Sequence, residues 1–247
     1  MIVQGHLLGV QSWCFRTYRT NDELIAALQA CGLNAIELCG VHLDITDAAA
    51  VATALALYRQ QAITITSFGI SGFSNDEEQV RPLLAFARQA GIATLGADPD
   101  LAALPLLESL CAEYGVKLAI HNHGRKHRYG SFAQLDAIFA QCSPNIGLCL
   151  DTAWMLDAGE NPIAAIERYG PRLYGIHIKD FTFHRDGSPE DVIVGTGNLS
   201  LPHLFSALAT VNFTGYTTLE YEGDEKNPIP SVTQCVAQLQ TLGAGEK

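Results

Sequence analysis

The sequence predicts an α/β fold, a single closed (β/α)8 barrel, on three observations. Short apolar runs rich in β-branched residues alternate with longer amphipathic segments along the whole chain. Eight such runs occur, and successive ones begin about 30 residues apart, the length of one βα unit. No GxGxxG follows the first run, and no Ser/Gly/Pro-rich linker or shift in composition divides the chain. An open doubly wound sheet and a second domain are both disfavoured, and residues 1–247 are expected to form one domain.

The expected strands are 7–13 (LLGVQSW), 33–40 (LNAIELCG), 62–69 (AITITSFG) and 92–98 (IATLGAD) in the first half. The second half supplies 116–123 (VKLAIHNH), 145–151 (NIGLCLD), 173–180 (LYGIHIKD) and 215–222 (GYTTLEYE). Between them, 21–32 begins with Asn21 ahead of Asp22 and Glu23 and stops at Gly32, favourable helix-start and helix-stop residues. The segment 75–91 repeats the pattern with Asn75, Asp76, Glu77, Glu78 and a terminal Gly91. Helices are also expected over 101–115, from Asn161-Pro162 onward with proline at a first helical position, over 201–211 and over 232–242.

Apolar residues make up 48% of the chain and charged residues 17%, ample for a packed core. No apolar run is long enough to cross a bilayer, and the start carries no basic segment ahead of a cleavage-type site. A cytoplasmic protein with no membrane partner is expected. The net charge of −11 excludes nucleic acid as a natural partner, because a phosphate backbone selects basic surfaces. The 7 cysteines form no CxxC pair and sit mostly in apolar segments, so they are expected to be reduced core thiols.

In a barrel of this kind, chemistry gathers at the carboxyl ends of the strands. The last four expected strands end in titratable residues: His121 and His123, then Asp151, then His177 with Lys179 and Asp180, then Glu220 and Glu222. Strand side chains alternate, so His121 and His123 share a face, as do His177 and Lys179, and Glu220 and Glu222. Any one of them alone reads as a hydrogen-bonded core residue or a helix cap. Together, unpaired carboxylates converging in one mouth would repel unless neutralised, which a divalent cation does. Asp, Glu and His are ligands for such an ion.

The runs 118-LAIHNHG-124, 147-GLCLDTAW-154, 175-GIHIKD-180 and 219-LEYE-222 resemble the xylose isomerase-like TIM-barrel superfamily of sugar isomerases and epimerases. The segment 195-GTGNLSLPHLFSAL-208 with the strand after it is similar to that family's loop and final strand. The resemblance implies one divalent metal held at the ends of strands five to eight. It carries Asp151, His177 and Glu220 onto the second, third and fourth ligand positions. The first falls on His121, where many members have Glu ahead of Asn-His, and His123 on the same face is the alternative ligand. Manganese suits such a set best, with Zn, Co, Fe and Mg also open.

The chemistry implied is a sugar isomerase or epimerase acting through an enediolate on a small keto or aldo sugar. Glu220, His121 and Lys179 are the expected acid–base groups. With His121 facing Glu220, the symmetrical carboxylate pair of the epimerases is absent. That brings forward an alternative lyase reading, the dehydration of an inosose or elimination from a 3-keto sugar. Trp154 stands where a histidine usually meets substrate, and stacking on a sugar ring and wall packing both remain open. Glu37 reads either as a ligand of a substrate hydroxyl or as a buried carboxylate on backbone amides. Trp13, with Gln11 and Phe15, is expected as an apolar wall of the pocket.

Arg125, with Lys126 and Arg128, is placed to hold an anionic group of the substrate, or forms a solvated basic loop. His42 and Asp44 carry less weight. His184, Arg185 and Asp186 belong to an expected lid loop. The family commonly forms dimers or tetramers, and since no helix marks an interface a homo-oligomer stays open.

Overall fold

The computed structural model describes residues 1–242, and residues 243–247 of the expected domain lie outside the described residues. All eight expected strands form. β1 (Ile2–Val3) is a short antiparallel addition to β2 (His6–Gln11), the first barrel strand. Then come α1 (Asn21–Ala30), β3 (Ala35–Leu38), α2 (Ala48–Gln60), β4 (Thr64–Phe68), β5 (Ser71–Phe73) and α3 (Glu77–Ala90). The middle of the chain gives β6 (Thr94–Pro99), α4 (Leu104–Tyr114), β7 (Lys117–His121), α5 (Phe132–Phe139), β8 (Ile146–Asp151), α6 (Thr152–Asp157) and α7 (Pro162–Tyr169). It ends with β9 (Leu173–Ile178), β10 (Asp180–Phe183), β11 (Pro189–Val192), α8 (Leu201–Thr210), β12 (Tyr216–Leu219) and α9 (Pro228–Thr241).

Eight strands run parallel in one curled sheet, with β12 hydrogen-bonded to both β9 and β2. The third strand is broken. Its first half, β4, pairs with β3, and its second half, β5, pairs with β6. The two ends of the sheet are thus consecutive segments of one chain stretch, and the ring meets itself there. Side chains alternate along each strand. Leu118, Ile120, Leu148, Leu150, Ile176 and Ile178 point outward into the aliphatic layer beneath the helices. The intervening Ala119, His121, Cys149, Asp151, Gly175 and His177 face the barrel interior. Burying each large aliphatic side chain contributes about 1.5–3 kcal/mol, so this layer sets the register that turns the polar residues inward.

Several expected boundaries are corrected. α1 opens at Asn21 as expected, but its capping residue is Thr20. The Thr20 hydroxyl accepts from Glu23 N–H at 3.2 Å and the Glu23 carboxylate accepts from Thr20 N–H at 3.0 Å. Asp76, not Asn75, caps α3 by accepting from Glu78 N–H at 3.0 Å. α9 begins a turn earlier than expected, at Pro228. The stretch carrying His184, Arg185 and Asp186 is not an open lid loop but the tip of an antiparallel hairpin, β10 against β11. β7 ends at His121 and β12 at Leu219, so His123, Glu220 and Glu222 lie just past their strands. Among the described residues no helix is long and apolar enough to cross a membrane. All 7 cysteines are free and buried.

Candidate metal centre

Four side chains meet at the carboxyl end of the ring. His121 follows from β7, Asp151 from β8, His177 from β9 and Glu220 from the residue after β12. One ligand-type atom from each lies within 4.8 Å of the others, and all four residues are buried. His177 Nδ1 is 2.7 Å from Glu220 Oε2 and 3.2 Å from His121 Nε2. His121 Nε2 is 3.6 Å from Asp151 Oδ2.

The surroundings fix these groups from behind. Asp151 Oδ1 accepts from Trp154 N–H at 2.8 Å, capping α6. Its backbone is clamped by Asn122, which accepts from Asp151 N–H at 2.8 Å and donates to Asp151 O at 3.0 Å. The other carboxylate oxygen, Oδ2, is buried and has no hydrogen-bond partner. A buried, unpartnered carboxylate oxygen aimed at two imidazoles and a second carboxylate is costly unless a cation takes it up. The residues present therefore fit a divalent metal ion, with two nitrogen and two oxygen donors.

Electrostatics point the same way. Burial pushes Asp151 up to about 6, although Lys179 opposes it. Burial works against ionised Glu220 too, but Lys179 and His177 outweigh it and hold that carboxyl well below the usual carboxylate range. Burial and the neighbouring His177 push His121 down to about 3, and burial with His121 pushes His123 down to about 4. Both imidazoles are neutral and keep a free lone pair.

The other expected site residues divide into three groups. Trp13 (39% exposed), His123 and Trp154 line a cavity of about 560 Å³ with His121, Glu220 and Glu222. Trp13 Nε1 donates to Glu222 at 2.9 Å, so that indole is anchored across the mouth. Gln11 also lines this cavity, whereas Phe15 is core. Arg125 and Lys126 line a second cavity of about 550 Å³ that shares His123 and Trp154 with the first. The Arg125 guanidinium bonds Asp157 at 2.7 and 3.1 Å and Gly187 O at 2.9 Å, and Arg128 bonds Asp98 at 2.8 Å. Both forks are thus already engaged.

Two residues sit behind the site. Glu37 is fully buried, and its Oε2 is 2.7 Å from His177 Nε2, so it backs the histidine instead of meeting the cavity or backbone amides. Gly96 leaves it room, since a Cβ there would come 2.9 Å from Glu37 Oε1. Lys179 is 1% exposed and pairs with Glu222, with Asp191 at 3.5 Å and with Glu220 at 3.6 Å. It does not line the cavity. His42 is buried on the Phe15 carbonyl, Asp44 closes an exposed turn with Thr46, and Asp180 accepts four backbone N–H groups from 195–199.

Sequence reasoning passed over Asn122, Asp191, Asp98 and His127. Asn122 was signalled by its place between two histidines, and the hairpin bearing Asp191 by the turn pair Asp186-Gly187.

The sequence profile of the family described as xylose isomerase-like TIM barrel matches residues 102–241. An inosose dehydratase of Clostridium botulinum is 25% identical over 146 residues, covering 50% of this chain and 47% of that protein. The chain thus spans about half the length of that curated relative. The crystal structure of IolI protein with a bound zinc atom superposes with a TM-score of 0.76 at 17% identity, covering 96% of this chain and 98% of that one. A D-allulose 3-epimerase from a Methylomonas species gives a TM-score of 0.72 at 17% identity, with the same coverage. At such identities the structural likeness shows the fold.

Proposed function

The chain belongs to the xylose isomerase-like TIM barrels, and from that premise we propose that it is a divalent-metal-dependent sugar isomerase or epimerase. Its substrate would be a small keto or aldo sugar. One observation carries this reading: the buried His121–Asp151–His177–Glu220 cluster, with its orphaned Asp151 oxygen, meets a cavity of sugar size through His121 and Glu220. These four residues would hold the ion, for which Mn(II) is proposed. When bound, the cation polarises a carbonyl and its neighbouring hydroxyl and so acidifies the C–H between them.

The chain's own residues supply the proton traffic. Glu220, kept ionised by Lys179 and His177, is the base on one wall. Once Glu220 has taken the proton from one carbon it can return it to the neighbouring one. His123, neutral and three strands away around the ring, faces it across the cavity as a hydrogen-bond partner for a substrate oxygen. Lys179 acts through Glu220 and Glu222, holding both carboxylates in place from beneath. Trp13 and Trp154 give apolar walls, and Glu222 accepts a substrate hydroxyl where Trp13 leaves it exposed.

A second reading, dehydration or β-elimination, is favoured by the unlike pair that faces the substrate. A single carboxylate opposite an imidazole suits removing a proton from carbon and passing that same proton to an oxygen departing on the same side, while the neutral imidazole hydrogen-bonds the substrate. Inosose dehydratase as a matched relative supports it.

The test is solvent deuterium exchange with Mn(II)-loaded protein against a panel of ketoses, aldoses and keto cyclitols. Deuterium at carbon with the sugar retained or epimerised supports the first reading. A new enone or dione absorbance supports the second. A protein that binds no metal and catalyses neither overturns both.

A further inference from the structure

We propose that this barrel carries a second divalent-cation site, formed by Asp98, His123 and His127 at the junction of its two cavities. One ligand-type atom from each of these residues lies within 4.8 Å of the others, outside the buried cluster. Asp98 is the last residue but one of β6, His123 follows β7, and His127 sits on the loop beyond. The His123 ring lies 4.5 Å from both the His121 and the His127 rings, so His121 faces the buried cluster while His123 bridges outward.

Each donor has the geometry of a ligand backed by other groups. His123 Nδ1 is buried with no partner. Asp98 is divided: Oδ1 accepts from Arg128 at 2.8 Å, and Oδ2 turns to His127 Nε2 at 3.5 Å, too far for a good hydrogen bond. Arg128 therefore orients the carboxylate and leaves one oxygen free. Asp98 and His127 keep about a quarter of their side-chain surface exposed, which gives an ion an entry path. Two imidazoles and one carboxylate, with open positions left for water or a substrate oxygen, select a borderline cation such as Zn(II) or Co(II) over Mg(II) or Ca(II).

Coordination through His127 Nε2 puts the proton on Nδ1 and gives up the 3.3 Å contact from Tyr129 N–H. With Arg128 also near, this site is the weaker of the two. His123 and Trp154 form the wall common to both cavities, so an ion held by His123 would sit beside that shared wall.

The test is metal stoichiometry on the full chain, stripped with chelator, reloaded with Zn(II) or Co(II) and desalted. Elemental analysis is expected to give two ions per wild-type chain and one in His127→Ala and in Asp98→Asn. Asp151→Asn is expected to keep one, since the sites are separate, and Asp151→Asn with His127→Ala to keep none. In the Co(II) protein, His127→Ala should remove part of the visible absorption without altering the far-ultraviolet circular dichroism. One ion in the wild type, retained in His127→Ala and lost in Asp151→Asn, overturns the second site and leaves the buried one standing. One ion lost in His127→Ala but kept in Asp151→Asn keeps this site and overturns the buried one.

Discussion

The two halves of the ring present different chemistry at the same face. Strands five to eight end in His121, Asp151, His177 and Glu220, which converge on one point. Strands one to four carry Gln11, Glu37, the Gly69 bend and Asp98 at or near their ends, and none of these joins that cluster. Their contribution is support. Glu37 crosses the barrel interior to hold His177 Nε2 at 2.7 Å, and Gln11 donates to Gly69 O at 3.1 Å beside the cavity. At the buried site one half offers the lone pairs, and the other decides which way they point. Closure of the barrel is what allows this, because a ring brings the second strand within reach of the seventh across its interior.

The largest expected effect comes from emptying the ligand half. Asp151→Asn keeps the Trp154 N–H cap through its remaining oxygen but gives up the charge facing the histidines. Metal affinity at the buried site should fall by about a thousandfold or more, with no loss of thermal stability in the metal-free protein, since a costly buried carboxylate is gone. Calorimetric titration beside a melting curve checks both parts. A large drop in the metal-free melting temperature would make Asp151 a structural residue and dissolve the contrast.

The next effect belongs to the supporting half. Glu37→Gln keeps the size of the side chain and an oxygen for His177 Nε2–H, but removes the charge that raises the histidine's basicity. Affinity at the buried site is expected to fall about 10–100-fold. Loss as large as that of Asp151→Asn would make the two halves equivalent. No change would reduce Glu37 to core packing.

Proton competition comes third. Burial pushes Asp151 up to about 6, so below that pH the carboxyl takes a proton that must leave before a cation binds. His177 also gives up a proton to the cation, since the anionic groups around it outweigh burial and hold it well above the usual imidazole range. Affinity should therefore rise with pH across the range, and the dependence should steepen by about tenfold per unit below 6, where Asp151 joins it. Repeating the titration from pH 5 to 8 gives the slope. In Asp151→Asn the remaining weak binding should lose that step.

The ligand half was legible because its residues stand at the ends of strands whose alternation is plain. Leu118, Ile120, Leu148 and Leu150 announce which face is core, and His121 and Asp151 follow on the other face by parity. Glu37 obeys the same parity, but its partner is 140 residues away on a strand five places further round the ring. Periodicity tells which face a residue takes and not what it meets there. Lys179 shows the same limit: its position beyond β9 was readable, whereas the ring of Glu220, Glu222 and Asp191 that sequesters it arises only when the β10–β11 hairpin folds back over the mouth. The break of the third strand into β4 and β5 has no counterpart in the apolar run 62–69, which stops where the bend begins.

The smallest effect is expected from Thr20, which caps α1 on the same face of the barrel as the site yet touches none of its residues. Thr20→Ala removes the acceptor for Glu23 N–H and one half of the capping box. It should lower folding stability by about 1 kcal/mol, read as a shift of the urea midpoint at constant slope. Metal stoichiometry and affinity should not move. A change in affinity here would mean that the first half of the ring transmits small backbone shifts to the ligands, so that support extends beyond the single Glu37–His177 contact.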